Sequence, residues 1–154
     1  MAAIPAGATH RPTSARKLIL GFVAGFIAVL LFHQPVLALL TQIGFAKATT
    51  YSFNATAPLG LPQVISLSFW GGVWGVILAV IEHRFPRGGL YWLYAFLFGA
   101  IFPTLVAWFV VAPLKGLPLA GGWQAARMIT GFMINGAWGL GTALLLALGL
   151  RVSR

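Results

Sequence analysis

The chain holds a single carboxylate, Glu82, in the stretch VIEHRFPR at residues 80–87, and no Asp. A lone acid can serve as a general acid or base, as a proton carrier, or as one half of an ion pair. Proton relay needs a second titratable group within reach. His33 lies about 24 Å along its helix from Lys17, and so at the opposite boundary from Glu82. His10 falls in the N-terminal tail, and His83 is beside Glu82 itself. A Ser nucleophile needs both a base and an orienting group, and one acid with three scattered His cannot supply them. No set of His, Asp and Glu has metal-ligand spacing, and Cys is absent. These counts predict no enzyme, no cofactor and no metal site.

Other groups carry weaker signals. Asn135 lies about 11 Å inside the outer boundary of its helix, where an amide must find a partner. Helix-to-helix glue is the favoured role, and contact with a solute or ion is the other. His33, Gln34 and Pro35 could line a small polar pocket, although an interfacial His reaching water is the plainer account. Glu82 follows Gly75 by seven residues and Ala79 by three, which places it on their helix face. It ends a helix, where the macrodipole disfavours negative charge. His83, Arg84 and Arg87 can offset that field, and Arg16 and Lys17 share the same membrane face. An interfacial ion pair is therefore expected, with Arg84 and Arg87 as the near candidates.

Composition dictates what holds these groups. Hydrophobic residues make up 60% of the chain and charged residues 7%, against about 25% charged in soluble domains. So few charges cannot cover a water-exposed surface, and lipid must do so. A net charge of +9 could suggest nucleic acid, but the basic residues punctuate apolar runs and form no patch. Nucleic-acid binding is accordingly not expected. Four runs approach the 20 apolar residues that a crossing requires, at about 17–40, 62–81, 90–112 and 128–150. The first is interrupted by Pro35 and either kinks and continues, the favoured outcome, or stops near Phe32. Residues 1–16 read as a disordered tail, and residues 17–154 as one four-span domain. The first span is read as an uncleaved signal anchor, because its apolar run is long and lacks a nearby cleavage site. The acid-free tail also fits a mitochondrial presequence.

Arg11, Arg16, Lys17, Arg84, Arg87, Arg151 and Arg154 flank one side, and Lys47, Lys115 and Arg127 the other. That bias predicts both termini in the cytoplasm. The expected fold is all-α, an integral membrane four-helix bundle.

Small residues recur four apart in each span: Gly21 and Gly25; Gly71, Gly75 and Ala79; Ala95, Gly99, Pro103 and Ala107; Gly131, Asn135, Gly139 and Ala143. Such stripes let helix backbones approach closely in lipid. GGVWGVILAV (71–80) aligns without gaps to NGAWGLGTAL (135–144), and GFVAGFI (21–27) to AFLFGAI (95–101). Two parallel two-helix repeats are implied, related by an axis along the membrane normal. In that scheme Trp74 and Trp138 are equivalent, each stacked over small residues of a neighbour.

The run FWGGVWGVILAVIEHRFPRGGLYWLYAFLFGAIFPTLVAWFVVAPLKGLP (69–118) combines a Gly-rich helix, a short basic turn with Pro, an aromatic-rich helix and a Gly-Leu-Pro loop. In this layout it resembles YagU-like small bacterial inner-membrane proteins. The resemblance implies residence in a bacterial inner membrane and supplies no catalytic residue. The expected function is contact-making within the lipid bilayer, with a second copy or a partner membrane complex. A small channel or transporter component is the alternative.

Overall fold

The computed structural model describes residues 14–57 and 59–152. Most of the tail, with Arg11 and His10, lies outside them, as does Arg154. Four helices dominate: α1 (Ala15–Gln42), α2 (Gln63–Arg84), α3 (Gly89–Leu114) and α4 (Ala125–Val152). All four are long and apolar enough to cross a membrane. Large apolar side chains such as Leu31, Phe69, Phe102 and Val110 point outward along them. In water that surface would drive aggregation, whereas lipid solvates it. The chain is a multi-pass membrane helical bundle.

The first helix begins at Ala15, slightly earlier than expected, because Ser14 caps it by accepting the Lys17 amide at 3.4 Å. It then runs through Pro35 without a break. Proline lacks an N–H and its ring clashes with the carbonyl one turn back, so the helix widens to π register at Val29–His33. The Gln34 amide reaches Val29 O accordingly. The same device recurs in α3, where a π segment at Ala107–Val111 precedes Pro113.

The helices run alternately up and down, which gathers both helical chain ends and the 85–88 turn at one end of the bundle. The 43–62 and 115–124 connections lie at the other, here called the loop end. The first connection carries a two-stranded ribbon, β1 (Ala55–Thr56) with β2 (Leu61–Pro62), in antiparallel register. The second contains a left-handed turn, with φ of 48°, 65°, 71° and 57° at Ala120, Gly121, Gly122 and Trp123.

α1 packs closely on α2, and α3 on α4, through the small-residue stripes. A Cβ on Gly25 would lie 2.9 Å from Gly75 Cα and on the Gly71 carbonyl. A Cβ on Gly99 would lie 2.9 Å from Gly139 Cα and on the Asn135 carbonyl. The rings of Phe22 and Phe96 fill the space beside Gly72 and Gly136 in the same way. The aligned residues therefore make matching contacts in the two hairpins. Gly131 is less confined, its nearest neighbours being Thr104 and Trp108 at 3.5 Å from a built Cβ.

The hairpins join through α1 and α4, where large meets small: Phe32 covers Gly141, and Leu20 covers Gly149. A two-fold relation would place Val106 against Ile77, and Tyr94 against Phe85, between α3 and α2. Bulk on bulk cannot close as bulk on glycine does. Phe85 and Tyr94 do meet, with ring centroids 5.8 Å apart. Ile77 and Val106 stay exposed, and α2 and α3 touch only sparsely.

Candidate functional site

Among the described residues, the polar side-chain contacts that tie elements together gather at three levels of the bundle. At the end where α1 begins and α4 finishes, Glu82 occupies a 3-10 turn (Glu82–Arg84) that tightens the last turn of α2. Its Oε1 lies 3.0 Å from Lys17 Nζ, and its Oε2 accepts the Tyr91 hydroxyl at 2.6 Å. One carboxylate thus ties α1, α2 and α3 together. The near candidates Arg84 and Arg87 are exposed instead. The reason is the stripe: Gly75 and Ala79 face Gly21, so the next residue on their side meets the cation one turn before Gly21. Nothing local in the sequence points Tyr91 at Glu82.

In mid-bundle, Asn135 Nδ2 donates to Thr104 Oγ1 at 2.8 Å, and the Thr104 hydroxyl donates to Gly131 O at 3.4 Å. Both amide-side contacts link α3 and α4. Trp138 is buried and its Nε1 donates to Gly25 O at 2.9 Å, across the α1–α4 seam. Trp74 does not repeat this. It is half-buried and meets Phe98 edge-on at 6.1 Å. The expected equivalence of the two indoles fails: α1 and α4 meet in a close seam, whereas α2 and α3 touch only sparsely.

Toward the loop end, His33 is buried, only 8% exposed, and does not reach water as the plainer account supposed. It lies at the end of the π segment, beside buried Gln34. Among the described residues, His33 Nδ1 and Ser68 Oγ are buried without hydrogen-bond partners. Gln34, 2% exposed, accepts the Tyr51 backbone N–H on Oε1 at 2.9 Å. Tyr51 also donates its hydroxyl to Leu30 O at 2.7 Å. In π register that carbonyl would be served by residue 35, and Pro35 has nothing to donate. The tyrosine supplies the missing donor, and its φ of 49° is held by bonds at both ends.

Around Gln34 opens a cavity of about 270 Å³, whose polar lining is Gln34, Thr49, Ser52, Asn54 and Gln63 and whose apolar lining is Leu37, Ala48 and Leu67. Its outer wall is fixed to α2 by Gln63 N–H to Asn54 O at 2.9 Å and Val64 N–H to Ser52 O at 3.0 Å. Lys115 Nζ bonds Thr56 Oγ1 at 3.1 Å and joins the two connections. Neither Asn135 nor His33 lines the cavity. The residues missed by sequence reasoning lie mainly in TTYSFNAT (49–56), a polar cluster in an apolar chain. No three His, Asp or Glu come together among the described residues.

Comparisons with protein-family models, curated proteins and solved structures return no match.

Proposed function

We propose that this multi-pass membrane protein works without catalysis, through helix contacts with a second copy or with a partner membrane complex. The observation that supports this reading is the close packing of the helices. Glycine backbones touch within both hairpins, and Trp138 fills the seam between them. Such packing leaves the lipid-facing sides as the surfaces through which the protein acts. Its setting is a bacterial inner membrane with both termini in the cytoplasm, in keeping with the Lys and Arg bias and the YagU-like layout.

Two measurements test the proposal. Gentle extraction, crosslinking in the native membrane and identification of what is retained should give a dimer or a defined complex. A protein that is monomeric and alone at native abundance would refute it. A reporter fused after Arg154 should read as cytoplasmic, and an external reading would overturn the orientation. A channel or transporter component is the second reading, favoured by the polar cavity that opens at the loop end around Gln34. Solute flux in reconstituted vesicles that Asn135→Leu abolishes without disturbing assembly would support that reading over the first.

A further inference from the structure

We propose that the cavity around Gln34 binds a small, uncharged, hydroxyl-rich group: a sugar or polyol, either free or as the head of a membrane lipid. The volume, about 270 Å³, falls just below the ~300–1,000 Å³ of pockets for drug-sized ligands, which suits one small ring. Five of its lining side chains, Gln34, Thr49, Ser52, Asn54 and Gln63, are amides or hydroxyls. Amides and hydroxyls offer both donors and acceptors, as vicinal hydroxyls of a ligand require. None is charged, and an ion entering would lose hydration without gaining a counter-charge. Leu37, Leu67 and Ala48 provide apolar wall for C–H groups.

The floor is fixed before any ligand arrives. The Tyr51 backbone N–H can only donate, so it must meet the oxygen of the Gln34 amide. The Gln34 NH₂ group is thereby committed as the donor at the base. Ser52 and Leu37 are buried beside it, whereas Thr49, Asn54 and Gln63 form an exposed rim. The two bonds of Tyr51 and the backbone ties from Gln63 and Val64 hold floor and rim in one geometry. Such preorganisation lowers the ordering cost of binding. Because the cavity lies where α1 and α2 leave the apolar layer, a dissolved sugar and a lipid headgroup can both reach it.

The test uses the full chain purified in a detergent without a sugar head, since glucoside and maltoside detergents would themselves compete. Calorimetry with glucose, myo-inositol and glycerol, alongside glucose 6-phosphate and choline, reads the soluble arm. Native mass spectrometry with a glucosyl-diacylglycerol, against diacylglycerol lacking the sugar, reads the lipid arm. Saturable binding of a neutral probe in either arm is expected, and which arm responds identifies the source. The rim variants Asn54→Leu and Gln63→Leu alter exposed side chains, so the fold should persist. Together they should weaken binding at least about tenfold while leaving the unliganded melting temperature unchanged. The proposal is overturned if no neutral probe saturates in either arm, if the charged probes bind as well as their neutral counterparts, or if the rim variants bind unchanged.

Discussion

Gly25→Ala offers the sharpest test of how this bundle is held. The added methyl would lie 2.9 Å from Gly75 Cα and on the Gly71 carbonyl, with only backbone atoms on the far side. Carbon contacts settle near 3.5–4.0 Å, so α1 and α2 must part by roughly 0.5–1 Å. A gap of that size forfeits about a quarter to a half of each pairwise attraction along the seam. Separation also stretches the Trp138 to Gly25 O bond, which now measures 2.9 Å. Overpacking of this kind costs about 1–3 kcal/mol, and a hydrogen bond between membrane helices contributes about 0.6 kcal/mol. Alanine also favours helix over glycine by about 1 kcal/mol, which partly masks the loss. Gly131→Ala has the same intrinsic gain, yet its methyl meets ordinary contacts at 3.5 Å. The difference between these two variants therefore isolates packing. Reversible unfolding in mixed micelles, followed by helical circular dichroism, should place Gly25→Ala about 2–3 kcal/mol below Gly131→Ala. Gly99→Ala should behave like Gly25→Ala, because its methyl meets Asn135 O and Gly139 Cα in the other hairpin. Equal stabilities for all three would refute the close-approach account.

Three further outcomes follow from bonds that cross between elements. Lys17→Met and Glu82→Gln, combined in a double-mutant cycle, should show coupling of about 0.5–3 kcal/mol, and additive effects would mean that the pair contributes nothing. Asn135→Leu and Thr104→Val should each destabilise by about 0.6–1.7 kcal/mol, with the double variant little worse than either alone; full additivity in the same unfolding assay would count against their bond. Tyr51→Phe should cost about 1 kcal/mol and speed hydrogen exchange in residues 43–62, since Leu30 O and the connection both lose their tie. Unchanged exchange there would show that the hydroxyl does not hold the connection.

The four helices were legible because lipid imposes a requirement that hydropathy reads directly: about 20 apolar residues per crossing. Helix pairing was legible for a related reason. Small residues four apart let helices approach closely in lipid, and those of α1 and α2 do meet, as do Gly99 and Gly139 of α3 and α4. Other features depend on information that no local window contains. The partner of Glu82 is set by the angular position of a residue 65 places earlier, so charge proximity in sequence pointed to Arg84 instead of Lys17. The difference between Trp74 and Trp138 goes with the residue three places beyond each, Gly141 under Phe32 in one hairpin and exposed Ile77 at the equivalent position of the other. The cavity is built from loop backbone bonds to α1 and α2, whose register a hydropathy pattern does not specify.

The unequal seams have a consequence for what this chain is free to become. Two identical hairpins assembling as separate molecules would need both of their equivalent seams for the pair to hold. Once a turn at residues 85–88 links them covalently, the hairpins can no longer drift apart, and one seam suffices. Here α1 and α4 retain that duty, with Trp138, Gly141 and Gly149 fitted to it. The opposite seam is relieved of it, which is why bulky residues such as Ile77 can stand where glycine otherwise would. Linkage has turned a symmetric object into one with a front and a back, and the open side is where variation can accumulate without unmaking the bundle.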